Sequence, residues 1–184
     1  MNTLNSSNIS KLYKKYEVPA NIIAHMKKVS EFAAILCDKF TKKGYKIDKE
    51  SVVKAALVHD LLRVCDFKEI SPTSPVLWAE LKKKYGKLGH EKATQKILNK
   101  MGHKEIGNLV LKHDFFKIKE LRTWEEKILY YADKRVDHDK VVSLKVRFRE
   151  GRKRNFSDTD DLAKITATEK MIVSLEKQIR KTIK

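Results

Sequence analysis

The stretch Val52-Val53-Lys54-Ala55-Ala56-Leu57-Val58-His59-Asp60-Leu61-Leu62-Arg63 reads as a helix that is apolar on nearly every side and carries an imidazole next to a carboxylate. Polar groups are costly to bury in such surroundings without a partner. Neutral imidazole and ionised carboxylate both offer lone pairs to a divalent cation, which supplies the charge that burial otherwise penalises. The stretch therefore predicts a buried central helix that brings His59 and Asp60 to a metal site.

The sequence predicts one helix before Gly44 and the central helix after it. Asn21 is expected to cap a helix that extends to about Phe40, and Asp48 to cap the central helix over residues 49–64. Each of these helices has an apolar face at the spacing of an amphipathic helix.

The second half of the chain predicts three further features. The capping box Thr123-Trp124-Glu125-Glu126 begins a helix that we expect to continue at least to Val146. The basic segment Arg147–Asn155 is expected to break that helix or to link it to a last one, which starts near Thr159-Asp160-Asp161. No alternating run is long enough to predict a sheet. The predicted fold is therefore an all-α bundle of six or seven helices in a single domain.

Length and composition suit one domain, since the chain has 184 residues of which 41% are hydrophobic. We divide it into an N-terminal leader or short helix (1–18), a helical metal-binding core (19–146), and a basic linker with a C-terminal helix packed on the core (147–184). No run of about 18 apolar residues could span a bilayer, and the N-terminus lacks a secretion signal. A cytoplasmic protein with no membrane partner is expected. Two cysteines are too few for a disulfide framework and suit buried apolar positions.

The formal charge of +17 attracts polyanions without specifying one. Lysines are spread over almost every predicted helix, which favours a solvated basic surface. The basic runs Lys82–Lys87 and Arg147–Arg154 keep open a nucleic-acid-binding face.

Six ligand-type side chains fall on the inward faces or ends of the predicted helices. They are His25, His59, Asp60, His90, His113 and Asp133. A lone histidine such as His25 on a core face is often a structural residue. A plain helical scaffold would require all six buried groups to satisfy one another, so the set together favours a metal centre.

The order of these residues resembles the HD-domain metal-dependent phosphohydrolases, over roughly residues 20–140. The matching pieces are the helix with His25, Val58-His59-Asp60-Leu61-Leu62-Arg63, Gly89-His90-Glu91, Lys112-His113-Asp114 and Tyr131-Ala132-Asp133-Lys134. In related families with a His-Asp-Ile-Gly-Lys signature a cation follows the aspartate by three residues. Arg63 stands at that place here, although Leu61 and Leu62 depart from the Ile-Gly pair.

The resemblance implies a centre of the binuclear type. One metal would be held by His25, His59, Asp60 and Asp133, and Asp60 would bridge to a second metal held also by His90 and His113. The binuclear branch includes dinucleoside tetraphosphate hydrolases and cyclic-dinucleotide phosphodiesterases. The Gly-Tyr-Pro tripeptide of the latter is absent here, which disfavours that substrate. The ligands suit two divalent ions without choosing among Fe, Mn, Zn, Co, Ni and Mg.

The expected reaction is hydrolysis of a phosphate ester or anhydride in a small phosphorylated substrate, namely a nucleotide or dinucleotide, by a metal-activated hydroxide. Asp60 and Arg63 are the expected catalytic residues, and Arg63 and Lys134 the expected phosphate contacts. For Lys134 a solvated helix cation is the alternative. The alternative function is a basic nucleic-acid-binding or regulatory module with a structural or vestigial metal site. The sequence gives no indication of oligomeric state.

Overall fold

The structure, a computed structural model, describes residues 4–155 and 161–184, and most of these residues are helical. The α-helices are α1 (Ser6–Lys15), α2 (Ala20–Lys42), α3 (Lys49–Val58), α4 (Val76–Tyr85), α5 (His90–Lys100), α6 (Lys104–Leu111), α7 (Trp124–Asp133), α8 (Leu144–Asn155) and α9 (Leu162–Thr182). Short 3-10 turns lie at Arg63–Asp66, Gly86–Leu88 and Phe115–Glu120. The all-α prediction is confirmed.

Helix α3 lies at the centre of the bundle, in contact with α2, α6 and α7. Its small apolar side chains, among them Val52, Ala55 and Ala56, are fully buried, as are Leu61 and Leu62 beyond its end. Small residues let neighbouring helices approach closely, so the chain after α3 is held deep between them. The central position that the sequence predicted for this stretch is confirmed.

Two of the predicted helix starts are confirmed by their caps. The Asp48 side chain accepts from the Ser51 amide at 3.0 Å, and Thr123 forms a reciprocal capping box with Glu126. The helix predicted to extend to about Phe40 is confirmed as α2, but its predicted cap was wrong, because Pro19 occupies the cap position and Asn21 lies inside the first turn. Proline at this point fixes the backbone dihedral that the helix start needs.

The central helix is shorter than predicted, since α3 ends at Val58 rather than near residue 64. The ring of His59 donates to the Ala56 carbonyl oxygen at 2.7 Å, which is the acceptor that a continuing helix would offer to the amide of residue 60. Tighter i to i+3 bonds follow, such as Arg63 N to Asp60 O at 3.0 Å. The side-chain bond thus ends the helix at its first ligand-type residue.

The long helix predicted from Thr123 to Val146 is also wrong. Helix α7 ends at Asp133, and a two-stranded antiparallel hairpin follows, made of β1 (Val136–Asp137) and β2 (Lys140–Val141). His138 in its turn has φ +54°, a left-handed conformation that histidine adopts more readily than most residues. The sequence predicted no sheet, and this short hairpin corrects that prediction.

The basic segment after the hairpin is helical. Residues Arg147–Asn155, predicted to break a helix or form a linker, belong to α8 in spite of Gly151. The last helix starts as expected at Asp161, whose side chain accepts from the Lys164 amide at 2.9 Å. Thr159 and Asp160 lie outside the described residues.

The two terminal helices pack onto the bundle. Tyr13 of α1 is buried and donates its hydroxyl to the Leu57 carbonyl at 2.5 Å, so the N-terminal segment from residue 4 is tied to the chain around α3. Helix α9 contacts α7 and buries Ile172 and Ile179. Cys37 and Cys65 are buried, as predicted. Over the part of the chain that is described, none of the helices combines the length and apolar character needed to cross a membrane.

Candidate metal centre

Five of the six predicted ligands lie at or next to helix ends that meet around α3. His59 and Asp60 directly follow α3, and His90 is the first residue of α5. His113 follows the end of α6, and Asp133 is the last residue of α7. Only His25 lies within a helix, on the face of α2 that turns inward. All six side chains are buried.

One group of donors forms around Asp133. Its Oδ1 atom lies 3.0 Å from His25 Nε2 and 3.6 Å from His59 Nε2. His25, His59 and Asp60 can also present one ligand atom each within 4.8 Å of one another. The four residues predicted for the first metal are therefore brought together.

A second group forms on the other side of Asp60. Asp60 Oδ1 lies 2.9 Å from His90 Nε2 and 3.6 Å from His113 Nε2, while the two histidine Nε2 atoms are 3.1 Å apart. The other carboxylate oxygen, Oδ2, lies 3.8 Å from His59 Nε2. Asp60 thus lies between the two groups, and its bridging of two metals stays a prediction.

Main-chain carbonyls fix the orientation of three of the rings. Because a carbonyl oxygen only accepts, the Nδ1 atoms of His25, His59 and His113 must carry the protons that they donate to the carbonyls of His138, Ala56 and Val110. In a neutral ring the Nε2 lone pair then points into the centre.

An unpaired buried nitrogen indicates that the donor set fits a divalent ion. His59 Nε2 is fully buried and has no hydrogen-bond partner among the described residues. Whether it carries a lone pair or a proton, a buried ring nitrogen without a hydrogen-bond partner is costly, and coordination of a cation would satisfy it. Imidazole and carboxylate donors without thiolates match a metal that retains open positions for substrate rather than a structural zinc.

Asp66 is a residue that the sequence reasoning missed. Its carboxylate accepts from His90 Nδ1 and, at 3.1 Å, from the His90 backbone amide, which also caps α5. Gly89, at φ +77°, turns the chain into this position. Asp66 therefore orients His90 as a carboxylate orients a metal-binding histidine. The only signal in the sequence was that Asp66 follows Asp60 by six residues.

Both carboxylates of the centre are ionised in spite of burial. Burial opposes the charge on Asp60, but the nearby His59 and His90 hold its pKa well below the usual range. Burial likewise opposes the charge on Asp133, whereas the Lys134 ammonium and the neighbouring His25 and His59 hold its pKa well below the usual range. Two negative charges are thus available to a cation.

The pKa values of the two histidines in the second group are shifted in opposite directions. Burial opposes protonation of His90, but Asp60 raises its pKa to about 9. Burial lowers the pKa of His113, which stays neutral with its Nε2 lone pair facing His90. Without a metal, His90 therefore holds a proton that an ion would have to displace.

Lys134 does not lie on the surface. It is buried, and its ammonium donates to Asp133 Oδ2 at 2.6 Å and to the His113 carbonyl at 2.8 Å. The alternative of a solvated helix cation is therefore wrong. Lys134 ties the two donor groups together at the wall of the cavity, and its contact with a phosphate stays a prediction.

Arg63 lies at the edge of the centre, as its spacing from Asp60 predicted. Its guanidinium NH1 atom is 3.2 Å from His90 Nδ1 and 3.7 Å from Asp66 Oδ2, and about a third of its side chain is exposed, at 31%. It also faces the cavity next to the donors. The positive charge of Arg63 would therefore attract a phosphoryl oxygen that is bound at the centre.

The donors open into a cavity of about 550 Å³, a size suited to a nucleotide-like ligand. Asp66, Phe67 and Lys68, which lie between the 3-10 turn after α3 and helix α4, form part of its wall. A further part of the wall comes from α8, most of which was predicted to break a helix or to link it to the last one. The residues of α8 that line the cavity are Arg147, Phe148, Gly151, Arg152 and Arg154.

Comparison with known proteins agrees with the geometry. Residues 22–136, more than half of the chain, match the family model described as HD domain. The matched range contains all six candidate ligands. No curated protein and no solved structure shows a significant match to the chain.

Proposed function

Since the chain belongs to the HD-domain family, whose members form a superfamily of metal-dependent phosphohydrolases, we propose that it hydrolyses a phosphate ester or anhydride of a nucleotide or dinucleotide. The observation that carries the proposal is the pair of donor groups that share Asp60 at the base of one cavity. Phosphate compounds are anionic, and the cavity wall offers cations that suit them.

The two groups would hold two divalent ions. His25, His59, Asp60 and Asp133 would hold one, and Asp60 with His90 and His113 the other. Such ions supply Lewis acidity that activates water and neutralises phosphoryl charge.

The residues of the chain contribute position and charge to this reaction. Asp60 and Asp133 stay ionised in spite of burial and would offset the charge of the ions that they hold. Arg63, held near Asp66 at the cavity edge, faces the phosphoryl oxygens and stabilises the charge that develops on them. Lys134 holds Asp133 in place from behind through its 2.6 Å bond.

The test is a phosphate-release assay on a panel of nucleotides and dinucleotides, with Mn²⁺, Fe²⁺ or Mg²⁺ added to chelator-treated protein. We expect turnover that is lost in the double variant His59→Ala with Asp60→Ala. The matched control is His103→Ala, which removes an imidazole at the start of α6, away from the donor groups. Full activity in the double variant would reject the proposed site.

The basic nucleic-acid module is the second candidate, favoured by the charge of +17. Part of that charge is used inside the fold, however. Lys82 donates to the Phe67 and Lys68 carbonyls, and Arg152 and Arg154 pair with Glu169 and Asp137. Salt-sensitive RNA or DNA binding by a chain that turns over no phosphate compound would favour this alternative.

A further inference from the structure

The arginines of α8 that face the cavity are not equivalent. Arg152 donates to both carboxylate oxygens of Glu169, and Arg154 donates to Asp137 at 2.5 Å. The acids on this side of the cavity are thereby already paired. These two arginines stabilise the wall itself.

Arg147 has no such partner. Its Nε atom is fully buried and has no hydrogen-bond acceptor, and its guanidinium forms no ion pair with any residue in 4–155 or 161–184. The charge of Arg147 helps to lower the pKa of Asp137, but the carboxylate of Asp137 accepts its hydrogen bond from Arg154. Arg147 lines the cavity, so its guanidinium, which no described residue holds by a hydrogen bond or ion pair, is placed to take an acceptor that comes from outside the chain. The guanidinium fork suits the oxygens of a phosphate.

The wall leaves room beside Arg147. Gly151 lies one turn further along α8, is buried and lines the same cavity. Glycine disfavours a helix interior, yet α8 remains helical through it. Because residues four apart share a helix face, glycine at this position places no side chain beside Arg147.

We propose that α8 forms an anion subsite in which Arg147 binds a phosphate group other than the one that is hydrolysed at the metal centre. The inference rests on the proposed function and deepens it. The substrate class is then a compound with at least two phosphate groups, rather than a simple phosphate monoester. The shared ligand chemistry is a chain of linked phosphates, either inorganic or attached to a nucleoside.

The first experiment measures binding without metal, so that it does not depend on turnover. The full chain is titrated in a calorimeter, in the presence of a chelator, with tripolyphosphate, with α,β-methylene-ADP and with orthophosphate. We expect Arg147→Gln to weaken the binding of both linked-phosphate ligands by about tenfold or more, the usual effect of losing a charge-assisted hydrogen bond. Comparison of the first two ligands tells whether the nucleoside contributes.

The matched control is Arg149→Gln on the same helix. Arg149 has 64% of its side chain exposed and pairs with the neighbouring Glu150, so its loss removes one charge without touching the cavity. We expect wild-type affinity for this variant. Equal losses in the Arg147 and Arg149 variants, unchanged binding in Arg147→Gln, or no binding to the wild-type chain would overturn the proposal.

Arg147→Met serves as a second variant in case the glutamine disturbs α8. It retains an unbranched apolar stem that can pack as the arginine stem does, while it removes the charge. A native circular dichroism spectrum with the same loss of affinity would support the subsite, and a native spectrum with full affinity would overturn it.

The second experiment uses the metal-loaded chain. We expect Arg147→Gln to lower kcat/KM for a nucleoside diphosphate by about tenfold or more while that for p-nitrophenyl phosphate is unchanged. Equal losses on both substrates would overturn the subsite. If no substrate is turned over by the wild-type chain, the proposed function fails, whereas the binding experiment still decides the role of Arg147.

Discussion

Replacement of Asp60 by asparagine should remove metal from both donor groups. The variant has nearly the same shape as the wild-type residue but loses the charge that lies between the groups. Asp60 Oδ1 is 2.9 Å from His90 Nε2, and Oδ2 is 3.8 Å from His59 Nε2. Asp133→Asn offers a comparison, because Asp133 contacts only the first group, through His25 and His59.

The expected size of the effect follows from these contacts. Loss of a residue that only supports a metal ligand weakens binding by about 10- to 100-fold. Asp60 would contribute a ligand oxygen and its charge directly, so we expect at least about a 100-fold loss at each site, equivalent to about 2.7 kcal/mol. At micromolar free metal the wild-type chain should then hold two ions, Asp133→Asn about one and Asp60→Asn almost none.

The assay is metal content per chain by plasma mass spectrometry after dialysis against buffered Mn²⁺, followed by competition with a chromophoric chelator. Asp38→Asn is the control, because Asp38 is half exposed and pairs with Lys49 at 2.6 Å, outside the centre. Equal losses in Asp60→Asn and Asp133→Asn, or two ions retained in Asp60→Asn, would refute the bridging role. Circular dichroism would check that each variant retains its helices.

Three further predictions concern the support of the site and the fold. Asp66→Asn weakens the orientation of His90 and should lower metal affinity by about 10- to 100-fold at one site only, as seen by chelator competition; loss of both ions would contradict it. Because Asp60 raises the pKa of His90 to about 9, in opposition to burial, metal binding at pH 7.5 should release about one proton, measured by calorimetry in buffers of different ionisation enthalpy; buffer-independent heats would contradict it. Thr123→Ala removes the capping box of α7 and should reduce the free energy of unfolding by about 1 kcal/mol in urea, and an unchanged midpoint would contradict it.

The helices and the candidate donors could be predicted because both depend on local pattern. The caps at Asp48 and Thr123 follow from side-chain chemistry within one turn. The inward position of His90 follows from the apolar period of α5, where it is followed by the buried Ala93 and Thr94. Each prediction needed only residues close in sequence.

The errors occurred where contacts between distant or competing groups decide the structure. Helix α3 ends early because the His59 ring takes a carbonyl from the helix ladder, which an apolar pattern does not reveal. Asp66 acquires its role from a residue 24 positions away, beyond helix α4. Arg147 was one cation in a basic run, and only the folded chain separates it from the paired Arg152 and Arg154.

The rings of His59 and His113 receive their orientation from the carbonyls of Ala56 and Val110, and carbonyls are common to every amino acid. Positions 56 and 110 can therefore vary among descendants of this gene without loss of the aligned lone pairs, provided that the replacements still fit the core. A mutational scan would show that the two histidines do not tolerate substitution, but it would not detect the carbonyl groups that orient their rings. The orientation of these two ligands therefore depends on the path of the backbone, which a comparison of side chains does not reveal.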